Sequence, residues 1–276
     1  MPLFKKRGAL TIFCLILLLA GLTIALLRLR AANILARETP IPADSRMAAM
    51  PKVFLWAWER PENLEFINPQ EIGVAFLAET IYLRGDKAIR RPRLQPLKVP
   101  NATKLIAVVR IESTREEPPT LSNEQRASVV EALAHTARAN NLAGLQIDFD
   151  VTESERRFYR DLLFDVRKRL PESMSLSMTA LASWCIYDNW LDELPVDEAV
   201  PMLFRMGVDR HRISNYLQTG GSFRAPLCKS SLGVSTDETI ATLSNTSRLY
   251  IFNPQSWSEQ NLLDALERSR NENPVP

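Results

Sequence analysis

From about residue 51 onward, short apolar runs of β character alternate with stretches of helical period. The strand-like runs fall at residues 53–57, 72–77, 104–111, 145–150, 176–181, 200–204, 228–234 and 249–252, eight in all. Helical periodicity occupies residues 122–140, where Ser122 stands as a candidate N-cap. It returns at 153–170, where Phe158, Leu162, Leu163, Val166 and Leu170 share a face and Pro171 ends the run. Further helical patterns lie near 236–243 and 258–268. One segment breaks the rhythm: residues 80–97 read as a β-hairpin turning at Gly85-Asp86, inserted after the second strand. Strands alternating with helices imply a parallel sheet. Eight such units in about 225 residues predict an α/β (β/α)8 TIM-type barrel, which needs about 200 or more. The competitor is a doubly wound open sheet, but the chain has nine glycines and no G-x-G-x-x-G.

The N-terminus follows a different pattern. Residues 8–27 form 20 uncharged, mostly apolar positions, enough at 1.5 Å each to span a hydrocarbon core of about 30 Å. The run is longer than an ordinary signal-peptide core and ends at Arg28-Leu29-Arg30 without a small-x-small cleavage site. The expectation is a signal-anchor transmembrane helix over residues 1–30, a linker over 31–50 and a barrel domain over 51–276. Lys5, Lys6 and Arg7 place the N-terminus inside. That orientation makes the protein a single-pass protein of the inner membrane with its barrel in the periplasm; secretion after signal cleavage is the alternative. Export leaves Cys185 and Cys228 as an even pair in an oxidising compartment, either a disulfide or two buried thiols.

Charge sharpens this division. The total is +2, but residues 1–50 hold seven basic and two acidic groups, a balance of +5, leaving −3 on the rest. The domain is mildly acidic, which argues against a nucleic-acid partner. His135 and His211 have no ligands at metal-site spacing, and no G-x-S-x-G elbow is present. No cofactor is expected.

The most informative segment is residues 142–150, LAGLQIDFD. Alternation places Leu145, Ile147 and Phe149 on one face and Gln146, Asp148 and Asp150 on the other. In a barrel the polar set points into the lumen, and the two aspartates sit at the C-terminal mouth, where barrel enzymes keep their active sites. Carboxylates roughly 6–7 Å apart along one strand face repel each other, and repulsion with burial raises one pKa. An acid beside an ionised partner suits glycoside hydrolysis. The alternative is structural: both aspartates cap the next helix or pair with Arg110 and Arg205. Apolar-Asp-x-Asp is also a metal-holding pattern of sugar-nucleotide glycosyltransferases.

The stretch Ala143–Asp150 resembles the D-G-x-D-x-D-x-E strand of family 18 glycoside hydrolases, the chitinase-like barrels. Together with SLSMTALASWC (175–185), VPMLFRMG (200–207) and SLGVSTDE (231–238), the chain resembles the bacterial family called domain of unknown function 3142. The chitinase-like resemblance implies Asp150 as the catalytic acid and Asp148 as its orienting partner. This chain departs from that pattern at four places, the first being Ala143 in place of an aspartate. Asp150 replaces a glutamate, Gln146 an aspartate, and Phe204, in Met202-Leu203-Phe204, a hydroxyl-bearing tyrosine. A carboxyl retracted by one methylene moves the proton by about 1.5 Å, and displacements near 1 Å can cost about a hundredfold in rate.

Further candidates for substrate contact are Gln146, Arg110, Glu112, Met202, Phe204 and Arg205 near strand ends, with Trp184 and Trp257 for stacking on sugar rings. Trp56 and Trp58, at the end of the first strand, rank below those two. The expected function is binding, with hydrolysis, of a glycan or peptidoglycan-like polymer by an exported barrel anchored through residues 8–27. The alternative is a catalytically inactive carbohydrate-binding or envelope scaffold.

Overall fold

The computed structural model describes residues 46–139, 141–238 and 246–271. The expected membrane segment (8–27), most of the linker and most of the 236–243 helical pattern lie outside them. Among the described residues no helix is long and apolar enough to cross a membrane.

In chain order the strands are β1 (Val53–Ala57), β2 (Glu62–Asn63), β3 (Ile72–Arg84), β4 (Lys87–Pro92), β5 (Leu97–Lys98) and β6 (Leu105–Ser113). They continue with β7 (Leu142–Asp148), β8 (Ser175–Leu181), β9 (Glu198–Met202), β10 (Ser231–Ser235) and β11 (Arg248–Phe252). The helices are α1 (Asn123–Ala137), α2 (Arg156–Arg169), α3 (Ala182–Tyr187), α4 (Arg210–Gln218) and α5 (Glu259–Asn271). Eight strands pair in parallel in the order β1-β3-β6-β7-β8-β9-β10-β11, and β1 pairs with β11 to close the ring. The result is a closed parallel α/β barrel of TIM-like form. β4 joins β3 antiparallel outside the ring, and β2 with β5 forms a separate two-stranded ladder.

Two features depart from a regular barrel. Residues 58–71 and 85–104, which follow the first two barrel strands, contain no helix. The hairpin is also not an insertion after the second strand: β3 runs unbroken for 13 residues from the barrel into the hairpin, and a bulge at Leu77–Glu79 shifts its register on β6. Gly85 makes the tight turn at φ +52°.

Elsewhere local chemistry explains the elements. Ser122 caps α1, its hydroxyl accepting from the Gln125 N–H at 3.1 Å. Thr152 and Glu155 form a capping box ahead of α2. The α2 face carrying Phe158, Tyr159, Leu162, Leu163 and Val166 packs on the outward residues Leu145, Ile147 and Phe149 of the β7 segment. Phe149 meets Tyr159 edge-on at 5.3 Å. Inside the barrel Phe54, Trp56, Ala75, Ile106, Val108, Val200 and Tyr250 form a second, smaller core.

That lumen is closed near the start of the strands by a buried ion pair. Arg248 donates to Glu198 at 2.9 Å and to the carbonyls of Pro51 and Met47, while the Tyr250 hydroxyl donates to Glu198 at 2.5 Å. Burial alone would push the Glu198 carboxyl toward neutrality; Arg248 and the donated hydrogen bonds oppose it. Cys185, on α3, is bonded to Cys228 with Cα atoms 5.9 Å apart.

Candidate functional site

The strand ends of β1, β7, β8, β9 and β11 enclose a cavity of about 310 Å³ at the C-terminal mouth of the barrel. Its apolar wall is aromatic. Phe204 stacks flat on Phe252, with centroids 5.6 Å apart and planes at 6°, and Trp56 leans on Phe204 at 5.9 Å. Trp58 meets Phe252 edge-on. Gly233 makes this wall possible, since a Cβ there would stand 2.9 Å from the Trp56 ring. The polar wall is formed by Arg110, Asp148, Asp150, Thr179 and Arg205, with Asp209 at the rim.

Asp148 ends β7 and is mostly covered, its side chain 14% exposed. The Thr179 hydroxyl donates to its Oδ1 at 2.6 Å, and Arg110 Nε stands 4.0 Å from Oδ2. Burial raises its pKa, against the opposing pull of Thr179 and Arg110, and Glu112 adds to the rise. Asp150 lies two residues further on, beyond the strand end, an exposed residue that also lines the cavity. Its pKa is pushed up to about 6, first by loss of water around the carboxyl and then by the Asp148 charge, with Arg110 opposing. Together they form a deep carboxylate held by a hydroxyl and a reachable one that holds a proton in mildly acidic water.

Of the residues singled out from the sequence, Arg110, Asp148, Asp150, Met202, Phe204 and Arg205 all line the cavity. Glu112 sits beside it and takes the Arg110 guanidinium at 2.9 Å. Gln146 points into the lumen but below the cavity, fully buried. It accepts from Trp56 Nε1 at 2.9 Å and donates to Ser177 at 3.0 Å, so it props the aromatic wall. Arg205 does not neutralise the aspartates. Its guanidinium pairs with Asp237 at 2.6 Å and Glu238 at 2.7 Å, and its own N–H donates to Glu238. These contacts hold Arg205 at φ +54°, a left-handed conformation costing a non-glycine residue about 1 kcal/mol.

Trp184 and Trp257 are not at the mouth. Trp184 begins no strand end; it lies on α3, buried edge-on against Trp190 at 4.9 Å. Trp257 is buried behind β1, its ring N–H donating to the Trp56 carbonyl. Trp56 and Trp58 take the wall positions instead, because the β1 pleat aims Trp56 inward and the chain leaves the strand at Trp58. Thr179 escaped notice in the sequence, although its signal was present: Ser175, Ser177 and Thr179 alternate along β8 and mark its lumenal face.

Fold and site therefore define a closed α/β barrel with a paired-carboxylate, aromatic-walled mouth. Residues 101–200, which contribute β6, β7, β8 and both aspartates, match the family described as Domain of unknown function (DUF3142). No curated protein matches the chain in sequence. Among the described residues no group of three or more His, Cys, Asp or Glu is placed to hold a metal ion.

Proposed function

We propose that this protein is a glycoside-hydrolase-like barrel, exported and anchored through residues 8–27, that binds a glycan or peptidoglycan-like polymer in its mouth and cleaves it. The observation that carries this reading is the pairing of Asp148 with Asp150 under an aromatic wall, the exposed member holding a pKa of about 6. Aromatic faces of Trp56, Trp58 and Phe252 suit the apolar faces of sugar rings. Asp150, reachable from solvent, protonates the departing glycosidic oxygen. Asp148, deeper and held by Thr179 and Arg110, stabilises positive charge developing on the sugar.

The inactive-scaffold reading has its own support. Phe204 has no hydroxyl to offer a substrate, and it is stacked on Phe252. The test uses the full-length chain in detergent with a panel of chitin-type and bacterial cell-wall oligosaccharides. Turnover that falls as pH rises through about 6, and that drops at least about a hundredfold in Asp150→Asn with binding retained, supports the enzyme. Binding without turnover in wild type, Asp150→Asn and Asp148→Asn favours the scaffold. Neither binding nor turnover refutes both. The anchor is tested by mass spectrometry of the exported protein: an N-terminus removed near residues 28–35 refutes it.

A further inference from the structure

The lumenal face does not stop at the cavity. β3 spans 13 residues and β6 nine, against five to seven for the other barrel strands, so both rise above the mouth on one side, and β4 widens this wall. Register places Arg91 on β4 opposite Thr80 on β3, Thr80 opposite Arg110 on β6, and Arg110 opposite Asp148 on β7. Residues directly opposite one another share a face of a sheet. Arg110 and Asp148 face the cavity, so Arg91 belongs to the same surface continued outward. At about 4.8 Å per strand it lies roughly 10 Å from Arg110 and 14 Å from Asp148 across the sheet. A second cavity, of about 260 Å³, opens beside Thr80 and Arg91.

The cations of this hairpin divide by face. Arg90, turned toward the body, is spent on buried Glu79 at 2.7 Å, and Arg93 on the carbonyls of Ala57, Trp58 and Arg60. Arg84, Lys87 and Arg91 are exposed, and none has a carboxylate within 4 Å among the described residues. Arg91 reaches the Tyr82 hydroxyl at 3.5 Å, and Arg84 lies over the Tyr82 ring at 5.3 Å. Glu112, on this face, is engaged by Arg110, and Glu59 lines the second cavity with Arg91 without forming an ion pair with it within 4 Å. An exposed arginine with no direct ion pair among the described residues, in register with the paired aspartates, is placed to receive an anionic group on a chain whose next portion occupies the mouth.

We propose that the outer face of the β3–β4 hairpin is a subsite for an anionic substituent, a carboxylate or a sulfate, on the glycan held in the mouth, and that Arg91 recognises it. This deepens the glycan reading above and rests on it: the substrate class becomes an acidic polysaccharide.

The experiment measures binding of the full chain to two matched pairs at 50 mM salt. One is hexagalacturonate against its methyl ester; the other is sulfated chitohexaose against chitohexaose. The charged member of at least one pair is expected to bind about tenfold tighter, as one charge-assisted contact gives. Arg91→Gln abolishes that preference without changing affinity for the neutral member, Arg91→Lys restores most of it, and both unfold at the wild-type temperature. Equal binding of both members of each pair overturns the subsite and leaves the glycan reading standing. A charge preference that survives in Arg91→Gln overturns the assignment to Arg91. Failure to bind any of the four overturns the subsite and counts against the glycan reading itself.

Discussion

Asp150 shows how a perturbed carboxyl draws on the stability of the fold. Its carboxyl, with a pKa of about 6, takes up a proton in the folded chain at a pH where the unfolded chain, with an ordinary value near 3.9, has lost it. The folded state therefore binds more protons between about pH 4 and 6, and stability falls as pH rises through that window. Replacing Asp150 with Asn removes this penalty. The variant should melt higher than wild type at pH 7, by a few °C because solvent reaches the residue and screens part of the effect, and match it near pH 4. Calorimetry at the two pH values checks this; an equal shift at both would mean that the carboxyl is not perturbed. The mouth positions of Asp148 and Asp150 were legible from alternation, and Ser122 as a cap from its place before a helical period. Arg205 was legible as a mouth residue but not in its pairing, because Asp237 and Glu238 reach it from the next barrel strand's loop.

At the scale of elements, the close approach of β10 to the aromatic wall constrains the site. Gly233 pairs with Tyr250 on β11 and Met202 on β9, and its missing side chain is the space Trp56 fills. Gly233→Ala should cost about 1–3 kcal/mol by overpacking and displace Trp56 from its bond to Gln146. Urea unfolding followed by tryptophan fluorescence reads both effects; an unchanged midpoint would show that the ring yields freely. Element existence was well marked in the sequence, since every predicted strand overlaps an observed one. Ends were less well marked. β7 stops at Asp148 rather than Asp150, where its pairing with β6 ends, and β3 continues to Arg84 because pairing with β4 and β6 extends it beyond its own apolar run. A different effect moved a stacking candidate: a helix, α3, takes over at Ala182 and turns Trp184 into the outer layer.

At the scale of the whole molecule, closure of the ring carries the mouth, and one covalent tie secures its flank. The Cys185–Cys228 bond joins α3 to the segment entering β10, spanning 43 residues that include β9, α4 and the Phe204–Asp209 rim. Chain-entropy arguments put such a cross-link near 4 kcal/mol. Cys185→Ser with Cys228→Ser should lose about 2–4 kcal/mol in denaturant unfolding, and reduction of wild type should reproduce most of the loss. A loss under about 0.5 kcal/mol would show that the core alone orders this side.

Hydropathy period by itself determined the number and direction of the barrel strands and the inward face of the aspartate strand. Both follow from local geometry, the two-residue repeat of a strand and the 3.6-residue repeat of a helix. The tertiary structure decided what those periods cannot carry: which tryptophans reach the mouth, which acids hold Arg205, and that the basic hairpin extends the lumenal face. Each of these depends on register and packing between segments far apart in the chain. A one-residue shift in any of them would turn the same side chain to the opposite face.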